Sequence, residues 1–374
     1  MPPLDVVAPD PPARRAKARG YNRHVPTLRE LAAVCNVSPA TVSRVLNGSE
    51  RVRPETRERI LAMMRELDYV PTRAARTLST KESGLIAVIL ATAAHPELEH
   101  PFFQGLLEQF RHRICEAGYD PILLTGEALG AGDQYYVRRL RMHNVDGVLF
   151  LSVRGEDVEI DELRKTGIPI VAFDPEGIGP FAARIQSDNV AAGASVAEHL
   201  VAIGRQRIAT ITGLPETAPS RLRLEGFARA LAAAGRELPP EYVVPGDFYA
   251  TSGMAGTEQL LTLPEPPDAI FAMSDLMAIA TIQTLQRRGL RVPEDVAVVG
   301  FDDIRFARLV TPPLTTVRQD VDTLGRLAAE TLVAMIRDRD LEPPTLTVPT
   351  TLVVRESTGG STLEEDARSV LDLL

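Results

Sequence analysis

Seven short apolar runs recur between residues 85 and 300, and they constrain the fold more than any other feature of the chain. The first, 85–91, reads LIAVILA, which is typical of a parallel strand buried on both faces. Helix-patterned segments separate the runs, so the sequence predicts right-handed βαβ units and parallel sheets. About 270 residues of such units exceed one doubly wound sheet, so we predict an α/β body with two lobes and a cleft between them. The other six runs are 121–125, 146–151, 168–173, 207–212, 268–272 and 295–300.

Two further elements complete the predicted body. A long helix is expected at 320–338, and a final extended pair near 346–354.

The N-terminal part predicts a separate helical head. Thr27 and Glu30 have the spacing of a capping box, so a helix begins there. A second helix begins after a three-residue turn, with Ser38 as N-cap and Pro39 at the first helical position. A third opens at Pro54 and presents one apolar face that can cover the first two. The residues of that face are Ile60, Met63, Met64 and Leu67.

The charge of the chain is segregated. Residues 1–81 carry 15 Lys and Arg against 8 Asp and Glu, a balance of +7, whereas the remainder carries −16. A basic head on an acidic body favours a nucleic-acid partner for the head, because phosphate attracts one end and repels the other. A basic disordered tail without function is the alternative for residues 11–24.

Composition excludes several classes of protein. The two cysteines, Cys35 and Cys115, are too few for a disulfide framework and are expected to be reduced thiols. There is no apolar run of membrane-spanning length and no signal-peptide pattern at the start, so we expect a cytoplasmic protein that does not enter a membrane.

Nine segments, in order, resemble landmarks of the LacI family of transcription regulators. The resemblance spans about residues 25–357, and agreement across head, hinge and body is more specific than any one motif. Two positions depart from the family pattern: Thr72 stands where a hinge Asn is common, and His100 where Asn often precedes Pro-Phe-Phe. The segments are 37–47, 67–71, 74–78, 101–103, 187–189, 221–227, 274–275, 300–303 and 312–320.

The resemblance implies a helix-turn-helix head, a hinge helix and a periplasmic-binding-protein-like body in a homodimeric regulator, more often a repressor, of double-stranded operator DNA. The expected domains are a basic arm (1–24), the DNA-binding head (25–70), the hinge (71–83), the effector-binding and dimerisation body (84–357) and a tail (358–374).

The second helix of the head is expected to read base edges in the major groove. Arg44 can bind guanine through two hydrogen bonds, Ala40 can contact a thymine methyl, and hydroxyl groups suit phosphate. The resemblance further implies that Leu78, in a hinge helix too short to be stable alone, wedges into the minor groove. A plain linker is the alternative for the hinge. The full set of expected DNA contacts is Thr27, Ser38, Pro39, Ala40, Thr41, Ser43, Arg44, Asn47, Arg76 and Leu78.

Effector contacts are expected in the cleft of the body. Arg223 and Asp302 lead the set, because charged residues beside apolar strand ends need a partner or a ligand. Three aromatic residues, Phe102, Phe103 and Phe248, are candidate walls, with core packing as the alternative. The resemblance adds Asp188, Asp275 and Gln319, although Asp188 and Asp275 are equally interpretable as helix N-caps. Sugars are the default effector class, and purines the alternative.

Other functions are weaker interpretations. The segment from His95 to His100 has ligand-type residues but no metal-site spacing, so a solvated loop at the lip of the cleft is preferred and no metal or cofactor is expected. The presence of the helical head argues against a solute-binding protein. An enzyme would need a set of catalytic residues that the sequence does not show. A coiled-coil tail from Leu363 to Leu374 covers fewer than two heptads, which favours a dimer over a tetramer.

Overall fold

The computed structural model describes residues 27–46, 49, 51–69, 82–90, 100–125, 135–151, 160–173 and 179–361 of the 374-residue chain. Contacts between residues divide the chain into two units, 1–81 and 82–374. Within the described ranges, no helix has the length and apolarity needed to cross a bilayer.

The described part of the first unit is helical. Its helices are α1 (Leu28–Val34), α2 (Pro39–Leu46) and α3 (Pro54–Glu66). Their apolar faces meet in a small core, in which Ile60 of the third helix is fully buried and Met63, Met64 and Leu67 are partly buried, as the sequence predicts. The other buried members of this core include Leu31, Ala32, Val42 and Val45.

Both predicted helix starts in the head are confirmed by their hydrogen bonds. At α1, Thr27 Oγ1 accepts from the backbone N of Glu30 at 3.3 Å, and Glu30 Oε2 accepts from the backbone N of Thr27 at 2.7 Å. At α2, Ser38 Oγ accepts from the backbone N of Thr41 at 3.2 Å, and Pro39 follows at the first helical position. These caps satisfy backbone N–H groups that would otherwise lack a partner in the helix.

Two six-stranded sheets form the two lobes of the second unit. The strands of the first lobe are β1 (Leu85–Leu90), β2 (Asp120–Thr125), β3 (Gly147–Leu151), β4 (Ile170–Phe173), β5 (Ala183–Ser187) and β11 (Thr345–Val348). Those of the second are β6 (Ile208–Ile211), β7 (Val243–Val244), β8 (Ala269–Ala272), β9 (Ala297–Asp302), β10 (Thr315–Gln319) and β12 (Thr350–Val353). The spatial orders are β11-β5-β4-β3-β1-β2 and β12-β10-β9-β8-β6-β7, with all pairings parallel except that of β12 with β10.

Each of the seven apolar runs contains a strand, so the predicted two-lobed α/β body is confirmed. The pattern missed three strands: β5 alternates buried and half-buried residues, β7 has two residues, and β10 includes the charged Arg318. The expected extended pair near 346–354 is present as β11 and β12. Its two strands do not pair with each other, because β11 joins β5 in the first lobe and β12 joins β10 in the second.

The helices of the body are α4 (Pro101–Glu116), α5 (Tyr135–His143), α6 (Ile160–Lys165), α7 (Asn189–Ala202), α8 (Ala218–Ala233), α9 (Ala250–Leu261), α10 (Asp275–Arg287) and α11 (Val321–Arg337). The chain changes lobe three times along this series. After β5 it enters α7, which packs on α8 and β12 of the second lobe; after β10 it enters α11, which packs on α4 and the first sheet; and it crosses again between β11 and β12. These three crossings are the connections between the two lobes.

Two glycines bring α7 and α8 into backbone contact. A Cβ added at Gly193 would overlap the carbonyl of Arg223, and one added at Gly226 would overlap the carbonyl of Val190. Only glycine allows two helix backbones to approach this closely. The contact holds Arg223 at a fixed depth beside the start of α7.

Candidate functional site

The second helix of the head separates its residues into a core face and a solvent face. Val42 and Val45 are buried against the other two helices, whereas Ala40 and Arg44 are exposed. Ser38 and Pro39, at its N-terminus, are exposed as well. The helix therefore presents its N-terminal turn and one long cationic side chain to the outside, which is the arrangement that a helix in the major groove needs.

The hydroxyl groups of the head differ in their availability for phosphate. Thr27 Oγ1 lies 3.0 Å from Glu30 Oε2, and Ser38 Oγ lies 2.9 Å from Thr41 Oγ1, so these three hydroxyls already have protein partners. Ser43 is half-buried on the same helix. Asn47, and the hinge residues Arg76 and Leu78, lie outside the described residues, as do the basic arm and residues 362–374 of the C-terminal tail.

Arg223 of α8 is a fixed cation at the carboxyl ends of the second-lobe strands. Its Nε donates to Asn189 Oδ1 at 2.8 Å, and its Nη1 donates to the carbonyl of Met273, just past β8, at 2.7 Å. Its guanidinium carbon lies 3.4 Å from the centroid of the Phe301 ring and 5.7 Å from that of Phe248. These contacts fix the orientation of the guanidinium plane. Arg223 is 4% exposed.

Asp302 is the last residue of β9 and adopts a backbone conformation that L-residues avoid. Its φ is +116°, and Asp303 follows with a φ of +55°. Non-glycine residues with such angles persist only where the surroundings impose them, and they concentrate at functional sites. One oxygen of Asp302, Oδ1, accepts a hydrogen bond from Gln319 Nε2 at 2.7 Å.

The loop that follows Asp302 is held by a buried ionic cluster. Asp303 Oδ1 accepts from Arg355 Nη2 at 2.7 Å, and Asp303 Oδ2 accepts from Arg318 Nε at 2.6 Å. Burial alone would raise the pKa of Asp303, but the charges and hydrogen bonds of Arg355 and Arg318 more than offset it, so the pKa lies below its ordinary value. The cluster fixes the backbone of the loop that directly follows Asp302.

His100, directly before α4, connects the first lobe to this site. It is 5% exposed, which corrects the expectation of a solvated lip loop at this position, while residues 95–99 lie outside the described ranges. Its ring lies edge-on to Phe103 and Tyr249, at centroid distances of 5.9 and 5.6 Å, and its Nε2 lies 4.0 Å from Asp302 Oδ2. Its Nδ1 is buried and has no hydrogen-bond partner among the described residues.

His100 is neutral at physiological pH. Burial lowers its pKa to about 4, the charge of Arg223 acts in the same direction, and the backbone of Phe248 opposes them. A neutral imidazole can donate or accept a hydrogen bond, but it carries no charge toward a ligand.

The three candidate phenylalanines have different surroundings. Phe102 packs into the core of the first lobe, with its ring centroid 5.6 Å from that of Phe173, so core packing describes it better than a ligand wall. Phe103 is half-buried beside His100. Phe248 is half-buried, has a φ of +73°, and its ring centroid lies 5.7 Å from the guanidinium carbon of Arg223.

The three candidates added by the resemblance, Asp188, Gln319 and Asp275, form hydrogen bonds with other parts of the protein. Asp188 Oδ1 accepts from the backbone N of Ala191 at 3.0 Å, so Asp188 is the N-cap of α7. Gln319, 3% exposed, uses both ends of its amide, because Oε1 accepts from Ser187 Oγ at 2.6 Å and Nε2 donates to Asp302. Asp188 and Gln319 therefore have structural roles in the body, and their contact with an effector stays a prediction.

Asp275 is not the N-cap of α10, since Ser274 caps that helix, and as an effector contact it stays a prediction. It is fully buried, with Oδ1 accepting from Thr316 Oγ1 at 2.5 Å and Oδ2 from the backbone N of Ile304 at 2.8 Å. Burial raises its pKa well above the ordinary value, and the charge of Asp302 acts in the same direction. Asp275 thus supports the Asp302 loop.

The sequence reasoning missed His100, Tyr249 and Asn189 as parts of the site. Asn189 follows Asp188 in the motif that suggested a site, but only the fold shows that its amide oxygen holds Arg223. The described residues contain no group of three or more His, Cys, Asp or Glu side chains that could hold a metal ion.

Comparisons with known proteins find relatives of both the helical head and the two-lobed body. Residues 27–72 match the family described as bacterial regulatory proteins, lacI family, and residues 197–358 match the periplasmic binding protein-like domain. The chain is 39% identical over 337 residues to the HTH-type transcriptional regulator CelR of Thermobifida fusca, covering 90% of this chain and 99% of the relative.

Two solved structures are similar over the same extent. A complex of the transcriptional regulator CelR with cellobiose has a TM-score of 0.70 at 37% identity, and covers 89% of this chain and 99% of its own. The lac repressor dimer bound to operator and the anti-inducer ONPF has a TM-score of 0.77 at 30% identity, with the same two coverages.

Proposed function

The chain belongs to the LacI family of bacterial regulatory proteins, and on that premise we propose that it represses transcription by binding operator DNA as a dimer, with an affinity that a small sugar changes. The observation that supports the DNA-binding half most directly is the exposed face of α2, where Ala40 and Arg44 stand on a helix whose opposite face is buried. The hinge at 71–83, with Arg76 and Leu78, and Asn47 at the end of α2 remain part of this proposal.

Replacing Arg44 with alanine should weaken operator binding by about 1–3 kcal/mol and relax the preference at one base pair in each half-site. The reason is that an arginine bound to a guanine through two hydrogen bonds discriminates between bases, whereas a phosphate contact does not. Fluorescence anisotropy with an operator selected from random duplexes measures both effects, and Arg229→Ala, an exposed arginine of the body, is the control. Equal losses on operator and random DNA would mean that Arg44 contacts only phosphate.

The effector half of the proposal rests on the chemistry of the cleft. Arg223 supplies donors, Asp302 supplies an acceptor, and His100 is neutral, so the three groups together favour a ligand without net charge. Phe103, Phe248 and Tyr249 add aromatic faces and edges. Hydroxyl groups with apolar C–H faces between them suit these contacts, which favours a sugar over a purine.

Cellobiose is the first probe, because a similar regulator is known in complex with it, and hypoxanthine tests the purine alternative. We expect cellobiose to bind the full-length protein and to change operator affinity, with Arg223→Lys weakening cellobiose binding about 10- to 100-fold, since lysine lacks the planar donor set. Arg229→Lys is the matched control. Isothermal titration calorimetry and operator titrations with and without cellobiose measure the two effects. Binding of hypoxanthine alone would overturn the sugar assignment.

A second copy of this chain is the proposed partner of an exposed apolar patch. Phe306 and Leu309, on and just after the 3-10 turn Arg305–Arg308, are 56% and 52% exposed. Large apolar side chains side by side in water mark a surface that another molecule covers, and a similar structure is a dimer on its operator. Two recognition helices are also needed to fill two half-sites.

Replacing Phe306 with glutamate should therefore shift the protein from dimer to monomer at micromolar concentration and weaken operator binding, because one head fills only one half-site. Sedimentation velocity measures the mass. The control is Met254→Glu, which changes an apolar side chain that is 39% exposed on α9. An unchanged dimer in the Phe306 variant would contradict this assignment of the interface.

We further propose a cytoplasmic protein that binds its ligand without turnover, as its relatives are regulators. Recovery of unchanged cellobiose after long incubation tests the second point.

A further inference from the structure

Two consecutive hydrogen bonds connect a first-lobe strand to the candidate effector site in the second lobe. Ser187, the last residue of β5, donates from Oγ to Gln319 Oε1 at 2.6 Å, and Gln319, the last residue of β10, donates from Nε2 to Asp302 Oδ1 at 2.7 Å. All three side chains are buried, with 2%, 3% and 7% of the residue exposed.

The direction of these bonds follows from their last member. A carboxylate can only accept, so the NH₂ group of the Gln319 amide must face Asp302. The amide oxygen then faces Ser187, whose hydroxyl must turn its hydrogen toward it. Without that donor, the buried Oε1 of Gln319 loses its partner, and the amide is no longer held toward Asp302.

The position of these bonds in the fold gives them a second property. β5 leads directly into the crossing to α7, and β10 into the crossing to α11. The bond from Ser187 to Gln319 therefore joins two of the three crossings between the lobes. A rotation of one lobe against the other changes the geometry of this bond, and Gln319 passes the change to Asp302.

We propose that Ser187 is a positioning residue that orients the effector-binding carboxylate of Asp302 through Gln319. It does so from the opposite lobe, so the orientation of Asp302 depends on the relation between the lobes. This inference rests on the proposed function only in taking Asp302 as an effector contact.

The first test is the cellobiose affinity of three variants of the full-length protein. Ser187→Ala should weaken binding about 5- to 20-fold, as expected when a buried acceptor loses its partner, and Ser187→Thr, which keeps the hydroxyl, should recover most of the affinity. Ser195→Ala is the control, because Ser195 Oγ donates only to the nearby carbonyl of Ala192. Parent-like affinity in Ser187→Ala would overturn the proposal.

A second variant gives a readout that general loosening of the fold would not produce. In Gln319→Glu, the introduced carboxyl can donate to Asp302 only while it is protonated. The ratio of its cellobiose affinity to that of the parent should therefore fall as the pH rises through the pKa of that carboxyl, because His100, which faces Asp302 in both proteins, cancels in the ratio. A pH profile parallel to that of the parent would count against the proposal.

A third measurement needs no effector. If Gln319 connects the two residues, the losses of melting temperature in Ser187→Ala and Asp302→Ala should not add in the double variant, and they should add once Gln319 is leucine. Additive losses with Gln319 intact would overturn the positioning role. If cellobiose and hypoxanthine both fail to bind the parent, the effector assignment fails while this cycle still decides the role of Ser187.

Discussion

Replacing Arg355 with methionine is expected to destabilise the body by about 3–5 kcal/mol, because it leaves a buried carboxylate without its main partner. Arg355 is fully buried, donates from Nη2 to Asp303 Oδ1 and from Nη1 to the carbonyl of Leu314, both at 2.7 Å, and the Asp303 side chain is 1% exposed. Arg318 and Arg308 remain beside Asp303, but the Arg318 side chain is 45% exposed and screened by solvent, and Arg308 Nη2 is 3.4 Å from Asp303 Oδ2, against 2.7 Å for Arg355.

Urea unfolding at pH 7, followed by circular dichroism, measures the change. The matched control is Arg291→Met, which breaks an arginine–aspartate pair with two hydrogen bonds on the surface, where the arginine is 69% exposed; because solvent screens this pair, we expect a much smaller loss there. Adding Asp303→Asn to Arg355→Met should restore part of the stability by removing the unpaired charge. If the Arg355 and Arg291 variants unfold at the same urea concentration, the buried pair is not the support described above.

Acidification is expected to remove up to about 3 kcal/mol of stability through His100 alone. The ordinary pKa of histidine is 6.5, and burial lowers that of His100 to about 4. Between these values the unfolded chain binds a proton that the folded chain rejects, so stability falls as the pH falls from about 6.5 to about 4. Above about pH 6.5, His100 does not change the free energy of unfolding with pH. Below about pH 4, its contribution is constant. Arg223 opposes the protonated ring, and Asp302, with Oδ2 at 4.0 Å from Nε2, is the nearby carboxylate.

The measurement compares the free energy of unfolding of the parent and of His100→Asn from pH 7.5 to pH 4.5. Asparagine is neutral throughout, so the variant should lose less stability on acidification than the parent. His199, whose pKa is also lowered by burial, is present in both proteins and cancels in the difference. Parallel curves would show that His100 is protonated as easily in the folded chain as in the unfolded one.

The fold was readable from the sequence where one strong signal decides an element. Strands such as β1 and β3 are apolar at every position and buried along their whole length, so periodicity and burial agree. β10 was missed because it combines Arg318 and Gln319 with three buried residues. The final pair of strands was predicted, but not its division between sheets, because partners distant in the sequence decide which sheet a strand joins.

The site was only partly readable, because residue type does not reveal a hydrogen-bond partner. Arg223 and Asp302 were predicted from the cost of burying charge, and the structure places both at the carboxyl ends of the second-lobe strands. Asp275 has the same residue type as Asp302, yet its oxygens are used by Thr316 and Ile304. His100 looked like part of a polar loop, but residues of both lobes, Phe103 and Tyr249, cover it.

The division of the last two strands between the sheets has a consequence for the order in which the chain matures. β11 completes the first sheet and β12 the second, with only Pro349 between them. A nascent chain that ends before residue 345 therefore holds two unfinished sheets, with unpaired edges at β5 and β10 that are open to strands of other molecules. Because synthesis runs from the N-terminus, both lobes are finished by the same nine residues, 345–353, and they reach their final form together rather than one after the other.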